Sequence, residues 1–129
     1  MMKSAKARKQ REFRYNAPLH IRQHFVHAHV SKELKEKLGL KARAIRVAAG
    51  DTVRIMCGKY KGKSGKVTKV DLKTSSIYLD SIKVKNARGK EHSVPLRSNN
   101  AYITDLNLSD KSRESRILHN GDLSGKKRQ

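Results

Sequence analysis

Gly50-Asp51-Thr52-Val53-Arg54-Ile55-Met56-Cys57-Gly58-Lys59-Tyr60-Lys61-Gly62-Lys63-Ser64-Gly65-Lys66-Val67 is the stretch that decides how this chain folds. Val53 and Ile55 alternate with polar residues, the period of a strand with one face buried. An apolar run restarts at Val67, after glycines at 58, 62 and 65. Glycine lets a backbone turn sharply and lie close to a partner. Lys59, Tyr60, Lys61, Lys63 and Lys66 crowd cations and one ring onto that turn, with Arg54 on the strand before it. A strand–turn–strand unit with a cationic tip and no bulk at its glycines suits a phosphate backbone.

Strand signals continue downstream. Gly65 to Leu72 reads as the second strand, and the Val67–Val70 spacing of three predicts a bulge. Ile77 and Leu79 point one way in a third strand, with Tyr78 on the opposite face. Ile82 and Val84 lead into a turn at Asn86-Ala87-Arg88-Gly89, and Glu91 to Leu96 returns from it. Tyr102, Ile103 and Leu106 supply a last strand. Five or six short strands at this spacing predict a mainly β fold, a small SH3-like barrel over residues 44–108.

Upstream the period is helical. Pro18 fits a first helical turn, and Ile21, Phe25 and Ala28 repeat at helical spacing. Ser31 caps a second helix that presents Leu34 and Leu38 and stops at Gly39. Residues 16–43 therefore read as short helices. Residues 1–15 carry six cations and one anion, with Phe13 and Tyr15 their only aromatic side chains. That segment cannot bury enough apolar surface to offset its ordering entropy, so it reads as a basic extension, disordered without a polyanion. Residues 109–129 revert to Ser, Lys, Arg, Gly and Asn and read as a flexible basic tail.

Charge sets the class of partner. The chain has 31 Lys and Arg against 11 Asp and Glu, a net charge of +20 over 129 residues. Cations outnumber anions 13 to 3 in residues 1–46, 12 to 5 in 47–108 and 6 to 3 in 109–129. Such a protein repels its own copies, which argues against a homo-oligomer, and it needs a polyanion. No apolar run approaches the about 18 residues of a membrane span, and no signal-peptide core follows the basic start. The single Cys57 excludes an internal disulfide framework and suits a reducing cytosol.

The hairpin stretch resembles the KOW motif of ribosomal and transcription proteins, on Asp51, Val53, Ile55, Gly58, Lys61-Gly62, Gly65 and Val67. Arg8-Lys9-Gln10-Arg11, Tyr15-Asn16-Ala17-Pro18-Leu19-His20 and Ser31-Lys32-Glu33-Leu34 resemble the N-terminal extension of one KOW family. That family is the universal large-subunit ribosomal protein numbered twenty-four, called twenty-six in eukaryotes. The resemblance covers residues 6–108 and implies the SH3-like barrel. It also implies direct binding of large-subunit ribosomal RNA near its 5′ end, an early role in assembly and a place beside the polypeptide exit tunnel. Neighbouring large-subunit proteins and a cytoplasmic location in that subunit follow from it too. Arg8, Lys9, Arg11 and Arg14 match the family's basic extension, whose planar forks grip phosphates. Tyr15, Asn16 and His20 match an element whose ring can stack on an unpaired base and whose amide can read an edge. Arg22 joins this group, and Lys59, Tyr60, Lys61, Gly62, Lys63, Lys66 and Arg54 form the hairpin group. Arg46-Val47-Ala48-Ala49 stands where many relatives place a proline and a basic pair. The two-residue glycine spacing of Gly62-Lys63-Ser64-Gly65 leans toward archaeal members.

Other chemistries lack support. His20, His24, His27 and His29 cluster, but no cysteine or acid in residues 16–30 completes a metal site. The glycine series lacks the Gly-Lys-Ser/Thr ending and following helix of a nucleotide loop. The carboxylates form no close pair framed by apolar residues for acid–base work, and Cys57 reads as a small half-buried residue near a barrel edge. No enzyme, cofactor or small-molecule substrate is expected. Lys73, Lys83 and Lys85 read as strand-edge charges that discourage pairing with other chains. The alternative reading is a KOW regulatory module of the transcription or translation apparatus that binds a protein partner and RNA weakly. The basic extension speaks against it, since a partner-binding barrel needs no charge along its whole length.

Overall fold

The computed structural model describes residues 4–119, so the expectations for residues 1–3 and 120–129 lie outside the described residues. Helices α1 (Ala7–Asn16) and α2 (Leu19–Arg22) open the chain, and a 3-10 turn over Gln23–Phe25 follows. Next come β1 (His27–Val30), α3 (Lys32–Lys37), β2 (Ala44–Arg46), β3 (Thr52–Ile55), β4 (Ser64–Asp71) and β5 (Ser76–Leu79). The chain continues through β6 (Lys83–Lys85), β7 (Glu91–Ser93), β8 (Leu96–Arg97) and β9 (Ala101–Asp105) to α4 (Lys111–His119).

Seven strands form one sheet in the order β2-β1-β9-β3-β4-β5-β8, and β6 and β7 form a separate hairpin. Neighbours pair antiparallel except β1 and β9, which run parallel. One end of β4 pairs with β3 over Ser64 to Lys66, and the other pairs with β5 over Val67 to Asp71. Its register against β5 shifts between Val67 and Lys69, the bulge that the valine spacing predicts. The bend lets the sheet curl around a single core. Ala28 from β1, Val53 from β3, Val67 from β4, Ile77 and Leu79 from β5 and Ile103 from β9 belong to one buried cluster. Burying each large aliphatic side chain contributes about 1.5–3 kcal/mol. The fold is the mainly β, small barrel expected, with short helices ahead of it.

Several local expectations hold in detail. The Ser31 hydroxyl accepts from the Leu34 amide at 3.2 Å and caps α3, and Gly39 lies at φ +60° just past that helix. Ile77 and Leu79 are buried while Tyr78 is only half-buried on the other face. The β6–β7 turn closes through the Asn86 amide to the Lys90 carbonyl at 2.9 Å.

Three segments depart from expectation. Residues 27–30 form β1 rather than continuing a helix. Val26 and Ala28 are buried and His29 is exposed, so the strand period wins over the 21-25-28 helical spacing once β9 and β2 offer edges on both sides. The sheet therefore draws on residues outside the 44–108 span. Ala7–Asn16 is helical in a stretch where a basic extension, disordered without a polyanion, is the expectation for residues 1–15. Its fastening is slight: Phe13 meets Phe25 edge-on at 6.3 Å, and the Arg14 guanidinium lies 5.1 Å from the Phe25 ring centre. Together these contribute about 1–2.5 kcal/mol.

The third departure is α4, in the segment read as tail. The Ser112 amide donates to Asp110 Oδ1 at 2.9 Å, starting the helix. Arg113 then reaches fully buried Asp51, donating from Nη1 to Oδ1 and from Nη2 to Oδ2, each at 2.7 Å. The Ala48 and Asn107 amides complete the carboxylate's partners at 2.8 and 2.9 Å. The same guanidinium donates to the Asn107 and Arg46 carbonyls. Asp51 of the hairpin stretch is thus an internal anchor for the C-terminal helix.

Candidate nucleic-acid interface

The hairpin tip joins β3 to β4 and is shaped by backbone. The Gly62 amide donates to the Ile55 carbonyl at 2.9 Å, and the Ile55 amide donates to the Lys63 carbonyl at 2.9 Å. Inside that frame, the Lys61 amide donates to the Gly58 carbonyl and the Lys63 amide to the Tyr60 carbonyl, each at 3.1 Å. Gly58 and Gly62 lie at φ +91° and +85°, in the left-handed region that favours glycine. A β-carbon at either would meet no atom within 4 Å, so space around both is open. Gly65 has a different reason: its β-carbon would stand 2.3 Å from Ser81 Oγ and 2.7 Å from Asp80 Oδ1.

Lys59, Lys61, Lys63 and Lys66 are all exposed. The Lys59 and Lys63 ammonium groups lie 5.9 and 5.7 Å from the Tyr60 ring centre. Tyr60 itself is half-buried and packs against the core. The ring therefore braces two cations over the tip rather than standing free to stack. Arg54 is exposed on β3 but borders a different groove, with His29, Met56 and Tyr102. Cys57 is exposed in the loop rather than half-buried, because the strand ends at Ile55 and the chain turns out from the barrel.

The second predicted group lies on α1 and α2. Arg8, Lys9, Arg11, Arg14, Tyr15, Asn16 and His20 are exposed there. Lys9 is partly neutralised by Glu12, 3.3 Å away. Arg22 acts inward: its Nε donates to the Ala17 carbonyl at 2.7 Å and its Nη2 to the Tyr15 carbonyl at 2.5 Å, fixing the α1–α2 joint. Arg11, Arg14, Tyr15 and Arg22 converge with Lys73 and Arg97 on one cleft, which the sequence reading missed. Lys73, set aside as a strand-edge charge, lies in the turn after β4. Arg97 is in β8, and no spacing in the sequence announces that the fold brings it to α1.

The tip and this cleft lie at opposite ends of β4. Eight extended residues separate the two by roughly 25 Å. The histidine cluster divides among α2, the 3-10 turn and β1, and the rings of His24 and His27 stack at 6.2 Å. Among the described residues, no three His, Cys, Asp or Glu side chains gather as metal ligands. None of the described helices is long and apolar enough to cross a membrane.

These features define a small basic β-barrel built on a strand–glycine turn–strand unit with cations at both ends of β4. A model of the family described as ribosomal proteins L26 of eukaryotes and L24 of archaea matches residues 4–120, and the chain belongs to that family. Large ribosomal subunit protein uL24 of Methanospirillum hungatei is 46% identical over 114 residues, 88% of this chain and 93% of the relative. The same-named proteins of Methanocella arvoryzae and Methanocorpusculum labreanum are 42% and 41% identical, over 88% of this chain and 89% and 93% of theirs. The protein is a structural constituent of the large ribosomal subunit, in the cytoplasm, and not an enzyme.

Proposed function

We propose that this protein binds large-subunit ribosomal RNA directly, through the hairpin tip at Lys59–Lys63 with Lys66 and through the cations of α1. The observation that carries this reading is the tip. Two positive-φ glycines hold a bare backbone in open space, and exposed lysines flank it. A phosphate chain can approach that backbone closely and gain several cationic contacts at once. The family resemblance supports the finer placement: contact near the 5′ end of the RNA, an early role in assembly, neighbouring large-subunit proteins and a site beside the exit tunnel.

The test has two arms. Native lysate is fractionated, and crosslinking with mass spectrometry asks whether the protein travels with large subunits and which residues touch RNA. Purified protein is then titrated with transcripts of the 5′ and 3′ portions of its large-subunit RNA. Crosslinks at Lys59–Lys66 and preference for the 5′ transcript are expected. Comigration without RNA crosslinks, or equal affinity for both transcripts, would overturn the proposal.

A further inference from the structure

The cleft between α1 and the β4–β5 turn carries an inference that rests on the RNA-binding reading above and goes beyond its assigned residues. It has a volume of about 320 Å³ and is lined by Arg11, Arg14, Tyr15, Arg22, Lys73 and Arg97, among others. Its size falls in the range of about 300–1,000 Å³ typical of small-ligand sites. Five of these lining groups are cations, and among the described residues no carboxylate lines the cleft. Like charges held this close repel unless an anion lies among them.

The cations divide by occupation. Arg14 lies over the Phe25 ring, and Arg22 is tied to two backbone carbonyls. Among the described residues, the side chains of Arg11, Lys73 and Arg97 have no hydrogen-bond acceptor or acidic partner. Tyr15 is 81% exposed, unusual for a large ring, while its carbonyl is held by Arg22. A ring left exposed beside its own tethered carbonyl offers a stacking surface to a base. The facing turn is fixed as well. Asp71 accepts from the Lys73 amide at 2.9 Å and from the Thr74 hydroxyl at 2.8 Å, and Ser75 sits at φ +55°. Among the described residues that is the one non-glycine in the left-handed region, the kind of local strain that persists where surrounding structure holds it.

We infer that this cleft seats one unstacked nucleotide of the RNA, its base against Tyr15 and its flanking phosphates between Arg11, Lys73 and Arg97. A duplex would present no free base face to the ring. A single-stranded or bulged nucleotide presents both the face and the phosphates. The cleft is thus a second RNA site, separate from the hairpin tip at the other end of β4.

The test uses the full chain and its large-subunit RNA transcript in filter binding. Tyr15→Leu weakens binding by at least about fivefold, the lower end of the effect of losing one stacked base, while Tyr15→Phe stays within about twofold. Lys73→Ala with Arg97→Ala lowers the slope of log affinity against log salt by about 1.4, or ~0.7 for each single-strand phosphate contact. Photocrosslinking with 4-thiouridine-substituted transcript places an unpaired nucleotide on the peptide containing Tyr15. Tyr15→Leu binding like the parent, or a salt slope unchanged in the double variant, overturns the cleft while Gly62→Val still tests the tip. A parent protein that fails to bind the transcript overturns both readings.

Discussion

Replacing Arg113 by methionine should destabilise the whole barrel, although Arg113 lies in a segment with the composition of a tail. Asp51 is fully buried and accepts four hydrogen bonds, two of them from Arg113. The Arg113 side chain is itself only 11% exposed, so solvent screens the pair little. Removing one partner of a buried pair costs about 3–5 kcal/mol, because a charge is left without compensation. The Ala48 and Asn107 amides still hold the carboxylate, which places the expected loss near the bottom of that range, about 3 kcal/mol. With a urea slope of about 1.5 kcal/mol/M, the unfolding midpoint falls by about 2 M. Arg113→Lys keeps the charge but loses the fork and should fall between parent and Arg113→Met. A double-mutant cycle with Asp51→Asn should return a coupling above about 1 kcal/mol. The surface pair Lys9–Glu12, with side chains 56% and 51% exposed, is the control, and Glu12→Gln should shift stability by under about 0.5 kcal/mol. A loss of less than about 1 kcal/mol for Arg113→Met would refute the idea that α4 clasps the barrel.

Further outcomes are expected. Affinity for large-subunit RNA should drop about a thousandfold or more between 50 and 200 mM salt if six to ten phosphates are contacted, and a flat titration would count against phosphate contact. Gly62→Val should leave circular dichroism near that of the parent, since only its positive φ is strained, by about 1 kcal/mol, yet weaken RNA binding. Gly62→Asn should be milder because Asn tolerates that φ, whereas Gly65→Val should lower stability outright by colliding with Ser81 and Asp80. Amide exchange in the free protein should show weak protection over Ala7–Asn16 and strong protection over β3 and β4, because ten residues are short for an independent helix. A fragment of residues 44–108 should fail to fold, since it lacks β1, Val26, Ala28 and Arg113; a cooperative melt of that fragment would contradict this. The Asp71 carboxyl, held below its ordinary 3.8 by the Thr74 hydroxyl and then the Lys73 amide, stabilises the turn above that pH. That contribution is lost as pH falls through the lowered value, and Thr74→Val should move the carbon-13 titration midpoint of Asp71 back up.

Much of the fold was legible because its determinants are local. Alternation at Val53 and Ile55, the three-residue step from Val67 to Val70, Ser31 as a cap and glycines at the tip each act within a few residues. Charge was equally legible, since +20 on 129 residues demands a polyanion whatever the fold. Pairing partners far apart in the chain were not. Residues 27–30 carry both periods, and only the free edges of β9 and β2 decide that they become a strand. Asp51 reads as part of a surface hairpin until Arg113, 62 residues later, arrives to bury its charge. Lys73 and Arg97 read as scattered cations until the curled sheet sets β8 and the β4–β5 turn against α1. Composition and short-range pattern thus pointed to a polyanionic partner and determined where the chain turns. Which cations share a site, and which carboxylate is buried, was decided by long-range strand pairing, whose energy depends on neighbours that no local window contains.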